Sequence, residues 1–238
     1  MTRARLRIAA AISLLVVGAA VFGVAAWPGR GGTEASQADE DPCAGTLEER
    51  ERQLAEPVTT GSPTIAVLGD SYTQGTGLSG PEQAWPTALG EQLGARVVVD
   101  GVGTTGFTTA GWCIHSPLTY GARLASDPPD AEVVVVQGGV NDSLLGDPDQ
   151  VAAAAGDVLG DLQDVPVVVV VGPPAVPGAD PGELGTIDAA LRQATSDAGR
   201  VYVPLAGAGI ELLDDELHPT EAGQQRIAEL VAAAIETA

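Results

Sequence analysis

The chain has 238 residues, 45% of them hydrophobic but only 3% aromatic, with 31 Gly and 17 Pro. All 11 basic residues are Arg, which excludes lysine chemistry such as a Schiff base or a P-loop, and recurring apolar blocks exclude a wholly disordered chain. Every acidic residue follows Arg30, so residues 31–238 set 32 Asp and Glu against 7 Arg, a formal charge of −25 that repels nucleic acid.

Residues 2–7 (TRARLR) carry three Arg, and Ile8 to Trp27 then runs without a charge. About 20 apolar residues suffice to span a bilayer as a helix. Arg before the run and acid after it orient the remainder of the chain outward. Val24-Ala25-Ala26 equally offers the small residues of a signal-peptide cleavage site. Residues 1–28 are therefore read as a signal peptide or a membrane anchor, and both place the rest outside the cytoplasm. Residues 29–62, rich in Gly, Ser, Glu, Asp and Pro, read as a tether with one short helix at Thr46–Ala55. Residues 63–238 are left for the folded domain.

Five short β-branched runs follow: Thr64–Leu68, Arg96–Val99, Glu132–Val136, Val165–Val171 and Arg200–Leu205. They lack strict alternation, as strands covered on both faces do. Helix-compatible stretches separate or follow them at Glu82–Leu93, Pro117–Ser126, Gln150–Leu162, Gly182–Ala198 and Thr220–Thr237. This alternation predicts an α/β fold with a five-stranded parallel sheet between helical layers. Ligands of such sheets bind beyond the carboxyl ends of the strands.

The residues at those ends are distinctive. Gly69-Asp70-Ser71 follows the first run, Gly101-Val102-Gly103 the second, and Gly138-Gly139-Val140-Asn141-Asp142 lies after the third. Asp215-Glu216-Leu217-His218-Pro219 precedes the last helix. Through these four blocks, in order and in strand context, the chain resembles the SGNH (GDSL-like) hydrolases, a family of esterases and lipases. The likeness runs from about Thr64 to Ile235 and implies a flavodoxin-like three-layer α/β/α sandwich.

A serine hydroxyl needs a base to take its proton, and the chain holds only two histidines, His115 and His218. Asp215 stands three residues before His218, close enough for its carboxylate to orient the ring. Asp214 is the neighbouring alternative. The resemblance implies Ser71 as nucleophile, His218 as base and Asp215 as its partner. It also implies an oxyanion hole built from the N–H groups of Ser71 and Gly103 and the side chain of Asn141, the only Asn in the chain. Asn141 heads an Asn-Asp-Ser sequon, but its expected place in the site argues against glycosylation. The second block departs from the family: Gly101 stands where an Asn is usual. Asp70 and Asp142 are read as structural hydrogen-bonding partners.

Gly101–Gly106 also fits G-x-G-x-x-G, but it follows the second strand and Phe107–Trp112 is a poor helix start, so nucleotide binding is disfavoured. Cys113-Ile114-His115 lacks a second pair to make a metal site, which leaves His115 as a loop residue near the pocket. The reading is an extracytoplasmic serine esterase, cofactor-free and monomeric, touching the membrane only through its N-terminal segment. Its substrate is a small-molecule, lipid or acylated-glycan ester. The alternatives are a polysaccharide O-deacetylase and a non-catalytic envelope or carbohydrate-binding module on the same fold. Two cysteines after an export segment predict a Cys43–Cys113 disulfide.

Overall fold

The computed structural model describes residues 43–113 and 115–238. The expected export segment, and the tether up to residue 42, lie outside the described residues. Five parallel strands form one sheet: β1 (Thr64–Gly69), β2 (Arg96–Gly101), β3 (Val133–Gln137), β4 (Val167–Val171) and β5 (Val201–Val203). Their order is β2-β1-β3-β4-β5, the flavodoxin-like arrangement that the sequence predicts. The register pairs Leu68 with Asp100 and with Val136, so the ends of β1, β2 and β3 are level.

Valines dominate both faces, and β-branched side chains suit a pleated surface covered on each side. Ile65, Val67, Val97, Val99, Val133, Val135 and Val169 pack under α3 (Trp85–Leu93) and α8 (Glu221–Glu236). Leu68, Val134, Val136, Val168 and Val170 pack under α4 (Tyr120–Ser126), α6 (Val151–Asp161) and α7 (Pro181–Asp197). Two short helices absent from the sequence reading complete the set, α2 (Ser71–Gln74) and α5 (Val140–Leu144). Helices of one turn carry no apolar periodicity to read. The expected helix from Glu82 begins only at Trp85, where Pro86 occupies the first turn and a 3-10 turn over Pro81–Gln83 precedes it.

The expected tether differs from the structure from Cys43 onward, because α1 (Ala44–Ala55) docks along β2. Two buried polar side chains hold it there. Arg50 forks onto Asp100, with both bonds at 2.9 Å, and the Gln53 side chain accepts the Gly101 N–H at 2.9 Å. A helix this polar (AGTLEERERQLA) looks like linker until those partners are known. Among the described residues no helix is long and apolar enough to cross a membrane.

Cys43 and Cys113 form a disulfide across 70 residues and pack with Val102 and Leu118. The bridge pins the start of α1 to the loop after β2. Replacing both cysteines by serine is expected to cost up to about 4 kcal/mol, the unfolded-chain entropy lost on closing a loop of this length. Urea unfolding of the parent and the double variant measures the loss, and coincident transitions would show that the bridge constrains nothing.

Candidate active site

The connection leaving β1 runs to β2 and the one leaving β3 runs to β4, so the strand order reverses between β1 and β3. Sheets of this kind form a ligand crevice at that place, beyond the carboxyl ends of the strands. Three of the blocks meet there. Asp70 caps α2 by accepting the Tyr72 N–H at 2.9 Å, which sets Ser71 at the first helical position with no intrahelical acceptor for its own N–H. Gly103 lies close by, since a Cβ built on it would stand 3.8 Å from Ser71 Cβ. Asn141 sits in α5, whose preceding residue, Gly139, adopts φ +112° against Pro173 and Ile187, a conformation and a space that exclude a side chain.

The loop after β2 is clamped from α5. Asp142, fully buried, accepts the Phe107 and Thr108 N–H groups at 3.2 and 2.7 Å and the Thr108 hydroxyl at 2.8 Å. Asn141 Nδ2 donates to Thr105 O at 2.9 Å, which fixes its carboxamide and leaves a second N–H for the crevice. An isolated bridge joins Thr105 to Ala110, so the glycine-rich stretch turns back on itself and leads into no helix.

The fourth block forms its own turn. Asp215 Oδ1 accepts the N–H groups of Leu217 and His218, both at 2.9 Å, and Asp215 Oδ2 meets His218 Nδ1 at 2.7 Å. Tyr72 links this turn to the helix of Ser71. Its hydroxyl donates to Leu217 O, its carbonyl accepts from Gln224 of α8 at 3.3 Å, and its ring centroid lies 6.2 Å from the imidazole. Tyr72 thus ties the helix of Ser71 to the turn of His218, with no hydrogen bond between Ser71 Oγ and His218. Asp214 makes no hydrogen bond to the imidazole, and His115 is exposed on the loop that carries Trp112 and Cys113.

Two carboxyls are displaced in opposite directions. Slight burial pushes Asp215 upward, but hydrogen bonds from the His218 ring and from the His218 and Leu217 N–H groups outweigh it and hold the group at about 2. That stabilisation is present above the ordinary 3.8 and is lost as pH falls through about 2. Complete burial pushes Asp70 up to about 7, against the Tyr72 N–H and the Gln137 side chain and with the help of the Asp142 charge.

The residues that hold this geometry without a motif are Tyr72, Gln74, Asp100, Arg123 and Gln224. Arg123 binds Gly69 O at 2.9 Å, Asp100 Oδ1 at 2.8 Å and Thr105 Oγ1 at 3.0 Å, while Gln74 Oε1 accepts the Gly103 N–H at 3.1 Å. A fully buried position for the single Arg of α4 is a signal visible only once the helix is placed.

Fold and site together define an α/β protein with a flavodoxin-like parallel sheet and a candidate site at the carboxyl ends of its strands, and the sequence comparisons give the family. The chain belongs to the GDSL-like lipase/acylhydrolase family, whose model matches residues 67–226. It is 29% identical over 184 residues to the GDSL lipase Rv0518 of Mycobacterium tuberculosis, covering 71% of this chain and 79% of that one. Its fold is shared with the aryl esterase of M. smegmatis (TM-score 0.60, 19% identity, 74% of this chain and 99% of that one). It is also shared with Est24, a carbohydrate acetylesterase from Sinorhizobium meliloti (TM-score 0.59, 18% identity, 74% and 99%).

The raised Asp70 gives a pH test. With a folded value of about 7 against an ordinary 3.8, its contribution to stability is complete below 3.8 and is lost as pH rises through about 7. Asp70→Asn is expected to flatten the dependence of the urea midpoint on pH over that interval. Parallel curves for parent and variant would mean that Asp70 is ionised in the folded protein.

Proposed function

We propose that the protein is an extracytoplasmic serine esterase working through an acyl-enzyme. Ser71 attacks the ester carbonyl and His218 takes its proton, then returns it to the leaving alcohol. Asp215 orients the imidazole and stabilises its charged form. The negative oxygen of the tetrahedral intermediate is held by the N–H groups of Ser71 and Gly103 and by Asn141 Nδ2. Water repeats the sequence on the acyl-enzyme to release the acid. The observation that carries this reading is the 2.7 Å contact of Asp215 with His218 Nδ1, which leaves Nε2 as the free nitrogen of a ring seated beside the helix of Ser71. The disulfide supports an oxidising compartment outside the cytoplasm.

A second reading, removal of acetyl groups from an envelope polysaccharide, is favoured by Trp112. Its side chain is 74% exposed on the loop that follows Gly103, and an open indole face suits a sugar ring. A panel of acyl chain lengths run beside acetylated glycans separates the two substrate classes. Labelling by a fluorophosphonate separates both from a non-catalytic module.

Ser71→Ala is expected to keep the fold and lower ester hydrolysis about 10⁴-fold or more, with a residual rate from the remaining donors. A folded variant within about tenfold of the parent would remove the serine mechanism. Asn141→Ala is expected to lower kcat about 10²–10³-fold, the usual scale for one oxyanion donor. A change confined to KM would move Asn141 from the oxyanion to substrate binding.

A further inference from the structure

The Gly103 N–H is engaged from inside the protein. Gln74 Oε1 accepts it at 3.1 Å and also receives the Thr76 hydroxyl at 3.4 Å. The same oxygen would lie 3.1 Å from a Cβ on Gly103, and that Cβ would stand 3.8 Å from Ser71 Cβ, so the carboxamide and Ser71 both border Gly103. Gly101 makes this possible. A Cβ there would come within 2.6 Å of Gln74 N and 2.9 Å of Gln74 Cα, so glycine at this place lets α2 close onto the end of β2. Asn, the residue usual at that place in the family, would hold Gln74 away.

We propose that Gln74 is a positioning residue that occupies the Gly103 donor in the free enzyme and is displaced by the carbonyl of the arriving ester. The proposal rests on the esterase reading above. A carboxamide oxygen and an ester carbonyl oxygen are acceptors of the same kind, and one N–H aimed at one point serves one of them at a time. Gln74 also lines a cavity of about 110 Å³ with Glu49, Arg52 and Gln53, whose polar groups are available to the withdrawn carboxamide. Withdrawal of the carboxamide gives up its hydrogen bond to Gly103, which the cavity offsets only in part, and Gln74 tunes substrate capture without entering the chemistry.

The kinetic consequence is specific. The cap is already displaced in the bound complex, so its removal acts on KM and leaves kcat in place. With p-nitrophenyl acetate, Gln74→Ala is expected to lower KM about two- to tenfold, the range of one net hydrogen bond, with kcat within about twofold. Gln74→Glu is expected to raise KM about tenfold or more, because a carboxylate holds the same N–H more strongly. Amide hydrogen exchange gives a readout without turnover: Gly103 is expected to exchange faster in Gln74→Ala than in the parent. A side chain serving only to support the fold would weaken activity in both variants, and that result overturns the proposal. Unchanged KM in both variants with an active parent overturns it equally and leaves the esterase reading standing. An inactive parent whose Gly103 exchange still accelerates in Gln74→Ala keeps the cap and removes the esterase.

Discussion

Arg123 reaches from α4 into the point where β1, β2 and the loop after β2 converge, and its guanidinium is entirely shielded from water. A cation in that position must be compensated on the spot, because burying it unpaired costs several kcal/mol. The compensation comes from the ends of the strands themselves: Gly69 O, Asp100 O, the Asp100 carboxylate and the Thr105 hydroxyl. Gly69 lies two residues before Ser71, and Thr105 lies two after Gly103. One planar fork therefore sets the separation between the turn of Ser71 and the loop of Gly103. Arg50 completes the arrangement from the far side of Asp100 and ties α1 into it. Exchange for a hydrophobic residue of similar volume is often neutral or stabilising for such clusters, so their value lies in the geometry they impose.

The layers were legible because their signals are local. Runs of valine, breakers between them and residue blocks of three to five positions define the strands, the turns and even the Asp215–His218 pair, whose partners are three residues apart. The connections that align the blocks are not local. Tyr72 meets Leu217 across 145 residues and Gln224 across 152, and Arg50 meets Asp100 across 50. None of those residues differs in type or setting from an ordinary surface Arg, Gln or Tyr until the chain is folded. The same holds for α1, whose charges read as solvated linker although two of its polar side chains are buried.

Tyr72 shows how the last block is brought to the first. It follows Ser71 directly, its hydroxyl holds the turn of His218 through Leu217, and its carbonyl holds α8 through Gln224. Gln224 in turn accepts the Trp85 N–H at the start of α3 at 3.0 Å, so both helices on that face are keyed to the residue after Ser71. Movement of α8 relative to the sheet would carry His218 and the Tyr72 contacts together. The histidine is thus referenced to the serine by the neighbouring residue, with no direct bond between them.

The three expected oxyanion donors are not equally prepared. Ser71 N–H has no intrahelical acceptor, Asn141 has one N–H committed to Thr105 O and one free, and the single N–H of Gly103 is taken by Gln74. A donor kept empty in a closed site favours the transition state but penalises the folded protein, since an unsatisfied buried N–H costs about 1–3 kcal/mol. Gly103 lies on a loop that is already demanding: Thr104 beside it adopts φ +60°, an unfavourable conformation for a β-branched residue. Gln74 supplies the Gly103 N–H on this loop with an internal acceptor. The acceptor is a flexible side chain, and it can leave without moving the backbone that aims the donor. Preorganisation of the site is therefore divided: the backbone and Asn141 are fixed by buried contacts, and adjustment is confined to one carboxamide.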